Sequence, residues 1–384
     1  MNKRDNHFRY IELFIFRFEG LSKMIGASLV LLVLGHYLLF SVSFIKSYID
    51  SFGVDKPISG DYREFSSIYS DDISYVRYWK EFRELEAITK PYYHWKRAKY
   101  DGEFINISDE GIRLTVNKPS SVEKNIFMFG GSTMWGEGSK DEHTIPSFLQ
   151  SKLKLDYKIT NFGESGYVAA QELNLLLEQI SIGNIPDIVI FYDGVNDGYA
   201  GVYSPAIPRY PQRVGLTNND QNPFIELFKN SYYNKAILYL KKRISNNREA
   251  SLWEEEIYSK IEENSTKVIE IYEHHIQQVK ALEAQYNFKS FFFWQPNLLS
   301  RSGLISEDEK QIISNSSPVL VQTQTEVYKK AKKNFLNREK ERVFFMGDIF
   351  NESNETIYID YCHVGPEGNE IISEFIYKSI VDFL

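Results

Sequence analysis

The chain has 384 residues, of which 43% are hydrophobic and 25% charged, a composition typical of globular proteins that excludes a disordered or fibrous chain. Its net charge of −8 and pI of about 5.6 argue against a nucleic-acid-binding protein, which would need a basic surface. Its one cysteine, Cys362, cannot form an intrachain disulfide, so cysteine usage does not indicate a cellular compartment.

A long apolar segment lies near the N-terminus. Residues 24–45 contain no Asp, Glu, Lys or Arg, and His36 is the most polar side chain among them. About 20 apolar residues cross a bilayer as a helix, so we predict a transmembrane helix over 24–45. A buried core helix is the alternative, but such helices are usually shorter or amphipathic.

The basic residues around this segment predict its orientation. Residues 1–23 carry five of them: Lys3, Arg4, Arg9, Arg17 and Lys23. Fewer follow the segment closely, chiefly Lys46 and Lys56. Because basic flanks stay in the cytoplasm, we expect a single-pass protein of a bacterial inner (cell) membrane, with residues 1–23 cytoplasmic and the remainder periplasmic or extracellular. A cleaved signal peptide is less favoured, since the leader is long and no Ala-x-Ala site follows.

The rest of the chain divides into two regions. Residues 46–120 have an irregular pattern rich in Tyr, Asp and Ser, which predicts a juxtamembrane or linker region with short strands. In residues 121–384, apolar runs alternate with helical patterns. The predicted strands are 125–129, 157–162, 187–192, 290–294 and 342–346, and the predicted helices include 145–153, 171–180 and 366–383. Continuous apolar strands separated by helices indicate an α/β fold with a parallel sheet covered on both faces.

A long excursion separates the third and fourth predicted strands. It covers about 198–287 and contains helical patterns at about 231–244 and 252–286. Its length is typical of a lid or binding element. A structural insertion with no ligand role is an equal alternative.

Polar residues follow the predicted strands, where ligands of open parallel sheets bind. Ser132 follows the first strand, Gly166 the second and Asn196 the third, while Asp360 and His363 precede the last helix. A serine hydroxyl is a weak nucleophile unless a base takes its proton, and an imidazole base needs a carboxylate to hold its tautomer. We therefore predict Ser132 as nucleophile, His363 as base and Asp360 as the group that orients His363.

Attack on an ester creates an oxyanion that must be stabilised by hydrogen-bond donors. The predicted donors are the backbone N–H groups of Ser132 and Gly166 and the side-chain amide of Asn196. Gly163 competes for this role, but the spacing after the strand favours Gly166. Four other residues could either face the site or serve packing and loop structure: Trp135, Glu137, Asp197 and Gln295.

The segments that contain Ser132, Gly166, Asn196 and the pair Asp360 and His363 resemble the conserved blocks of the SGNH/GDSL hydrolase superfamily. The resemblance covers about residues 121–384. The sequence Gly130-Gly131-Ser132-Thr133 has Gly131 where the family usually has Asp. Gly166 matches the second block, Gly194-Val195-Asn196-Asp197 the third, and Asp360-Tyr361-Cys362-His363 the last. The resemblance implies a flavodoxin-like three-layer α/β/α sandwich with strand order 2-1-3-4-5. It also implies the same catalytic and oxyanion roles, in an enzyme class that cleaves acyl esters, often acetyl groups on sugars, or transfers acyl groups.

Three functions remain open from the sequence. The favoured one is a membrane-anchored extracytoplasmic esterase that removes O-acyl groups, expected to be O-acetyl, from a carbohydrate or cell-envelope polysaccharide. The alternatives are an O-acyltransferase that uses the same serine and a non-catalytic scaffold in an envelope assembly. We expect no cofactor and no metal, because the adjacent His274 and His275 point apart on a helix and His143 has no metal-ligand company. Protein partners are not indicated.

Overall fold

The computed structural model describes residues 61–117, 122–153, 156–203 and 249–384. Residue contacts place nearly all of these in one unit, Gly60–Val214 with Trp253–Leu384. Within the described ranges, no helix has the length and apolar character needed to cross a membrane. The predicted transmembrane helix over 24–45 and the predicted helix near 231–244 lie outside the described residues.

Residues 61–117, whose sequence pattern predicts a linker region, contain one α-helix, two short 3-10 helices and four short strands. Helix α1 is Ser74–Glu84. Strands β1 (Ala87–Lys90) and β2 (His94–Arg97) form an antiparallel hairpin, and β3 (Tyr100–Asp101) pairs with β4 (Asn106–Ile107). This region packs onto the following domain.

An apolar cluster joins residues 61–117 to the following domain. Tyr78, Trp79 and Ile105 are fully buried there against Trp135 and Ile359. Burying a large apolar side chain contributes roughly 1.5–3 kcal/mol, so this contact orders the N-terminal region beside the segments that carry Ser132 and Asp360.

A five-stranded parallel sheet forms the centre of the unit, which confirms the expected α/β class. Its strands are β5 (Lys124–Gly130), β6 (Tyr157–Asn161), β7 (Ile188–Asp193), β8 (Lys289–Trp294) and β9 (Val343–Phe345). Their order is β6-β5-β7-β8-β9, and each neighbouring pair is parallel. Counted along the chain this is 2-1-3-4-5, so the strand order reverses at β5, where open α/β sheets place their ligands.

Helices cover both faces of this sheet. They are α2 (Ser132–Trp135), α3 (Ile145–Lys152), α4 (Ala169–Ser181), α5 (Val195–Tyr203), α6 (Glu249–Tyr286), α7 (Glu307–Asn315), α8 (Pro318–Phe335) and α9 (Pro366–Ile380). The 38-residue helix α6 forms the second part of the excursion predicted between the third and fourth strands.

The two faces of the sheet form two separate cores because successive side chains of a strand point to opposite sides. Phe127 and Phe129 of β5 pack with residues of α4, α6 and α8 on one face. Ile126 and Met128 pack with residues of α3 and α9 on the other. Both faces are apolar, which explains the continuous apolar runs in the sequence.

Candidate active site

Ser132 lies at the carboxyl end of β5, as the first residue of the short helix α2. The helix ends after one turn at Gly136, whose φ of 101° is a left-handed conformation that favours glycine. Before the serine, a Cβ on Gly131 would collide with the side-chain amide of Asn196. An Asp at position 131, as in the Gly-Asp-Ser form of the superfamily that the sequence resembles, would therefore require Asn196 to move.

His363 and Asp360 complete a hydrogen-bonded chain with Ser132. His363 Nε2 lies 2.7 Å from Ser132 Oγ, and His363 Nδ1 lies 2.7 Å from Asp360 Oδ2. Because an ionised carboxylate only accepts hydrogen bonds, Nδ1 carries the hydrogen and Nε2 is free to accept the serine proton. The structure thus brings together all three residues predicted to be catalytic.

The Asp360 carboxylate is held in place and ionised. Its Oδ1 accepts the backbone N–H groups of Cys362 at 2.8 Å and of His363 at 2.7 Å. Burial opposes ionisation, but the charge and hydrogen bonds of His363 and the charge of Arg63 hold the pKa of Asp360 well below its usual range. Asp360 therefore stays anionic and can stabilise an imidazolium.

Arg63 is a site residue that the sequence analysis missed. Its Nη1 lies 2.9 Å from Glu137 Oε2, 3.5 Å from Asp360 Oδ2 and 3.2 Å from His363 Nδ1. Burial alone would lower the pKa of Arg63, but Asp61, Glu137 and Asp360 raise it, so the guanidinium remains charged. A lone arginine 300 positions before the histidine it touches leaves no local signal in the sequence.

Gly166, the predicted oxyanion donor, has a backbone conformation that few other residues adopt. Its φ of 79° favours glycine, and it lies on the loop that follows β6. The competing Gly163 already donates its N–H to Asn161 Oδ1 at 3.0 Å. This contact supports the choice of Gly166 over Gly163.

The Asn196 amide lies between the nucleophile turn and the Gly166 loop. Its Nδ2 donates to the carbonyl of Tyr167 at 2.8 Å and lies beside Gly131. An amide nitrogen has two hydrogens, so the second can serve an oxyanion. The structure therefore gathers Ser132, Gly166 and Asn196 around the carboxyl ends of β5, β6 and β7.

Strand β2 places two side chains, Trp95 and Arg97, against the Gly166 loop, and no residue pattern indicated this contact. Trp95 lies over Gly166 and donates its Nε1–H to the Ser165 carbonyl at 2.9 Å. Arg97 donates to Ser165 Oγ at 3.0 Å and pairs with Glu164 at 3.4 Å. Burial raises the pKa of Glu164 to about 7, although Arg97 opposes this shift.

The structure separates the four residues whose role the sequence left open into those with structural contacts and those near the nucleophile. Trp135 is fully buried with the Arg113 guanidinium 4.2 Å from its ring centroid, and Asp197 Oδ1 accepts the Ala169 N–H at 3.1 Å, so both have structural contacts. Gln295 is 3% exposed and lies 3.4 Å from the Thr133 hydroxyl, behind the nucleophile. Glu137 faces the site.

In the described part of the chain, one group has spacing compatible with a metal ion, namely Asp360, Cys362 and His363. Asp360 and His363 are already bonded to each other. Burial, and next the charge of Asp360, raises the pKa of the Cys362 thiol well above its usual range, whereas metals bind the thiolate. These residues fit a proton-transfer chain better than a metal site.

Three carboxyl groups are buried behind the site. Glu172, Asp193 and Asp197 lie near one another, and Tyr272 donates to Asp193 Oδ2 at 2.9 Å. Burial, followed by the charge of Asp197, raises the pKa of Asp193 to about 8. Burial, followed by the charges of Asp193 and Asp197, also raises the pKa of Glu172 well above its usual range. The folded protein therefore holds protons here at neutral pH.

We expect Glu172→Gln to stabilise the protein at pH 8 but not at pH 4.5. A carboxyl whose pKa is raised by folding favours the folded state below its unfolded pKa, and this contribution is lost as the pH rises towards the folded pKa. For each proton that only the folded state holds, the free energy of unfolding falls by about 1.4 kcal/mol per pH unit as the pH rises. Gln at position 172 removes one such group. Thermal unfolding from pH 4.5 to 8 should show a difference in Tm that grows with pH.

The matched control is Glu178→Gln, on the exposed side of the same helix. We expect this variant to follow the wild-type Tm across the pH range. A constant difference between Glu172→Gln and wild type would show that Glu172 is not protonated in the folded protein.

The fold and the site define a class. A serine at the end of the first strand of a 2-1-3-4-5 parallel sheet, bonded to an Asp-x-x-His segment before the last helix, is an SGNH/GDSL-like arrangement. A hydroxyl, an imidazole and a carboxylate bonded in this order have the geometry of a Ser-His-Asp triad.

Several solved structures are similar to this chain at low sequence identity. The structure is similar to that of an acetyl xylan esterase, AlAXEase, with 13% identity, coverage of 67% of this chain and 99% of that chain, and a TM-score of 0.34. A carbohydrate acetylesterase family member from Sinorhizobium meliloti is 13% identical, with coverage of 67% of this chain and 99% of that chain and a TM-score of 0.34. A member of the lipolytic protein G-D-S-L family from Veillonella parvula is 10% identical, with coverage of 67% of this chain and 96% of that chain and a TM-score of 0.34.

No protein-family model and no curated protein matches the sequence. Because the identities and TM-scores to the solved structures are low, the assignment of the site depends on its own geometry.

Proposed function

We propose that this protein is a serine ester hydrolase of the SGNH class that works through an acyl-enzyme on Ser132. One observation carries the proposal: Ser132 Oγ, the His363 imidazole and Asp360 form a continuous chain with both contacts at 2.7 Å. This chain lies at the carboxyl edge of a parallel sheet, where a substrate can reach it.

Acylation follows from the geometry. The Ser132 oxygen attacks the ester carbonyl carbon while His363 Nε2 takes the hydroxyl proton. Asp360 stabilises the resulting imidazolium without taking the proton itself. The oxyanion is met by the N–H groups of Ser132 and Gly166 and the Asn196 amide. The intermediate then collapses, and His363 returns the proton to the leaving alcohol.

We expect Asn196→Ala to lower kcat by about 10²–10³-fold, because loss of one oxyanion donor costs about 2.7–4 kcal/mol in the transition state. Initial rates with p-nitrophenyl acetate measure the effect. Asn334→Ala is the matched control, since the Asn334 amide bonds only the carbonyl of Lys330 on the exposed side of α8. A rise in KM alone, with kcat unchanged, would exclude Asn196 from the oxyanion site.

We further propose that the substrate is an O-acylated, specifically O-acetylated, carbohydrate. A groove of about 840 Å³ borders the catalytic segment at Ile359 and Tyr361, on either side of Asp360. At its rim, Tyr62 is 65% exposed and Phe65 69% exposed. Exposed aromatic rings beside polar side chains such as Gln311 suit a sugar, whose apolar face stacks while its hydroxyls form hydrogen bonds.

The proposed location is the outer side of a bacterial inner membrane, where cell-envelope polysaccharides pass. The support is in the sequence: residues 24–45 are apolar and uncharged, and basic residues precede them. Fractionating cells that express the full-length chain, with protease added to intact spheroplasts, tests this location. Resistance of the C-terminal domain to the protease would contradict it.

Two measurements on the full-length chain test the proposed activity. A fluorophosphonate probe should label Ser132, as identified by peptide mass spectrometry, and O-acetylated polysaccharide should release free acetate. Failure of both the probe and p-nitrophenyl acetate to react would overturn the esterase assignment. Appearance of the acetyl group on an acceptor glycan instead of in free acetate would favour the acyltransferase alternative.

A further inference from the structure

Glu137 is anchored directly beside the nucleophile. Its backbone N–H donates to the carbonyl of Ser132 at 3.0 Å, as does that of Gly136 at 2.9 Å. The turn after α2 therefore fixes the position of the Glu137 side chain relative to Ser132. The residue is 9% exposed, so its carboxylate borders the site without being free in solvent.

The carboxylate of Glu137 faces the catalytic base. Its Oε2 lies 3.6 Å from His363 Nε2, the same nitrogen that lies 2.7 Å from Ser132 Oγ. Its Oε1 accepts the Ser165 hydroxyl and lies 3.7 Å from Arg97 Nη2. His363 Nε2 thus has both the Ser132 hydroxyl and a carboxylate oxygen of Glu137 within 3.6 Å.

We propose that Glu137 Oε2 and His363 Nε2 together hold the water that attacks the acyl-enzyme, an assignment that rests on the proposed function. Two atoms 3.6 Å apart can both contact one oxygen at about 2.8 Å, an ordinary hydrogen-bond length. During acylation, the oxygen of the leaving alcohol occupies the same place. Its departure makes room for water.

Deacylation uses His363 as the base. The water oxygen bonds to the acyl carbon while one of its protons passes to His363 Nε2, and its other O–H donates to Glu137 Oε2. The tetrahedral intermediate then breaks its bond to Ser132 Oγ, and His363 returns the proton to that oxygen. A carboxylic acid leaves, and Ser132 and His363 are restored. Glu137 does not change its protonation state.

The charge of Glu137 suits this role. Burial opposes its ionisation, but His363, Arg63 and the Ser165 hydroxyl outweigh burial and lower the pKa of Glu137. A carboxylate accepts a hydrogen bond from water more strongly than a neutral group does. The water is thereby oriented and made more nucleophilic.

Glu137 also pairs with Arg63, whose Nη1 lies 2.9 Å from Oε2, but neither of its arginine partners depends on Glu137 alone. Arg63 has a second close carboxylate in Asp61 at 2.5 Å, and Arg97 has Glu164 at 3.4 Å. Each arginine therefore keeps an acidic partner when Glu137 is neutralised. We expect Glu137→Gln, which preserves shape, to fold with a Tm close to that of the wild type.

The experiment is stopped-flow hydrolysis of p-nitrophenyl acetate by the full-length Glu137→Gln variant. We expect a burst of p-nitrophenolate of about one per active site, followed by a steady-state rate at least about tenfold below that of the wild type. Intact-mass spectrometry should show the added mass of one acetyl group. The matched control is Glu103→Gln, at an exposed pair with Arg77, and should behave as the wild type.

Two outcomes separate this inference from the proposed function. If Ser132→Ala is inactive but Glu137→Gln slows the burst and the steady state equally, or accumulates no acetyl-enzyme, the role of Glu137 is refuted and the esterase assignment stands. If Ser132→Ala hydrolyses the ester as fast as the wild type, the proposed function itself fails.

Discussion

Replacing Ser132 with Ala should lower kcat/KM for p-nitrophenyl acetate by about 10⁴-fold or more. The serine oxygen forms the covalent bond to the acyl group, and no other group described in the structure holds a hydroxyl against His363 Nε2. Catalysis that survives loss of a triad member comes from the oxyanion donors and substrate binding alone. The measurement is the initial rate at saturating and subsaturating ester.

The fold should tolerate this change. Ala is a good helix former, and the hydroxyl of Ser132 faces His363. Ser151→Ala is the matched control, because its hydroxyl bonds only the Phe148 carbonyl on the exposed side of α3. Comparable rates for Ser132→Ala and Ser151→Ala would mean that hydrolysis occurs elsewhere on the protein.

The second large effect is expected for Asp360→Asn, with a loss of about 10⁴-fold in kcat. Oδ1 of the new residue would still accept the N–H groups of Cys362 and His363, so its NH₂ group would face His363 Nδ1. Two donors cannot share that contact, so the hydrogen of the imidazole would move to Nε2. The base would then present a hydrogen, not a lone pair, to the serine.

The pH dependence of kcat for Asp360→Asn distinguishes this tautomer effect from unfolding, together with a Tm measured in parallel. Asp109→Asn, at an exposed pair with Lys99, provides the control. A variant Asp360→Asn that retains its Tm and hydrolyses the ester within about tenfold of the wild-type rate would exclude Asp360 from the catalytic chain.

The two variants test different parts of one unit, so their effects should not add. Once Ser132 is absent, His363 has no hydroxyl to deprotonate, and the state of Asp360 no longer matters. The double variant Ser132→Ala, Asp360→Asn should therefore be about as slow as Ser132→Ala alone, as expected for residues that act together.

The residue pattern predicted the five strands of the sheet in chain order and placed Ser132, Gly166, Asn196, Asp360 and His363 at strand ends or before the last helix. These features are local. A buried parallel strand needs a continuous apolar run, and a group at the end of such a strand must lie at the carboxyl edge of the sheet. Residues 125–129, predicted as the first strand, lie within β5 for this reason.

The other groups around the triad could not be predicted from the residue pattern, because they depend on tertiary contacts. Arg63, Trp95 and Arg97 come from a region whose irregular sequence suggested a linker. For Glu137, the sequence favoured packing and a position in the site equally. Their contacts join residues tens to hundreds of positions apart. Such contacts depend on how an apolar cluster docks the N-terminal region onto the sheet, and no residue pattern within either segment encodes that docking.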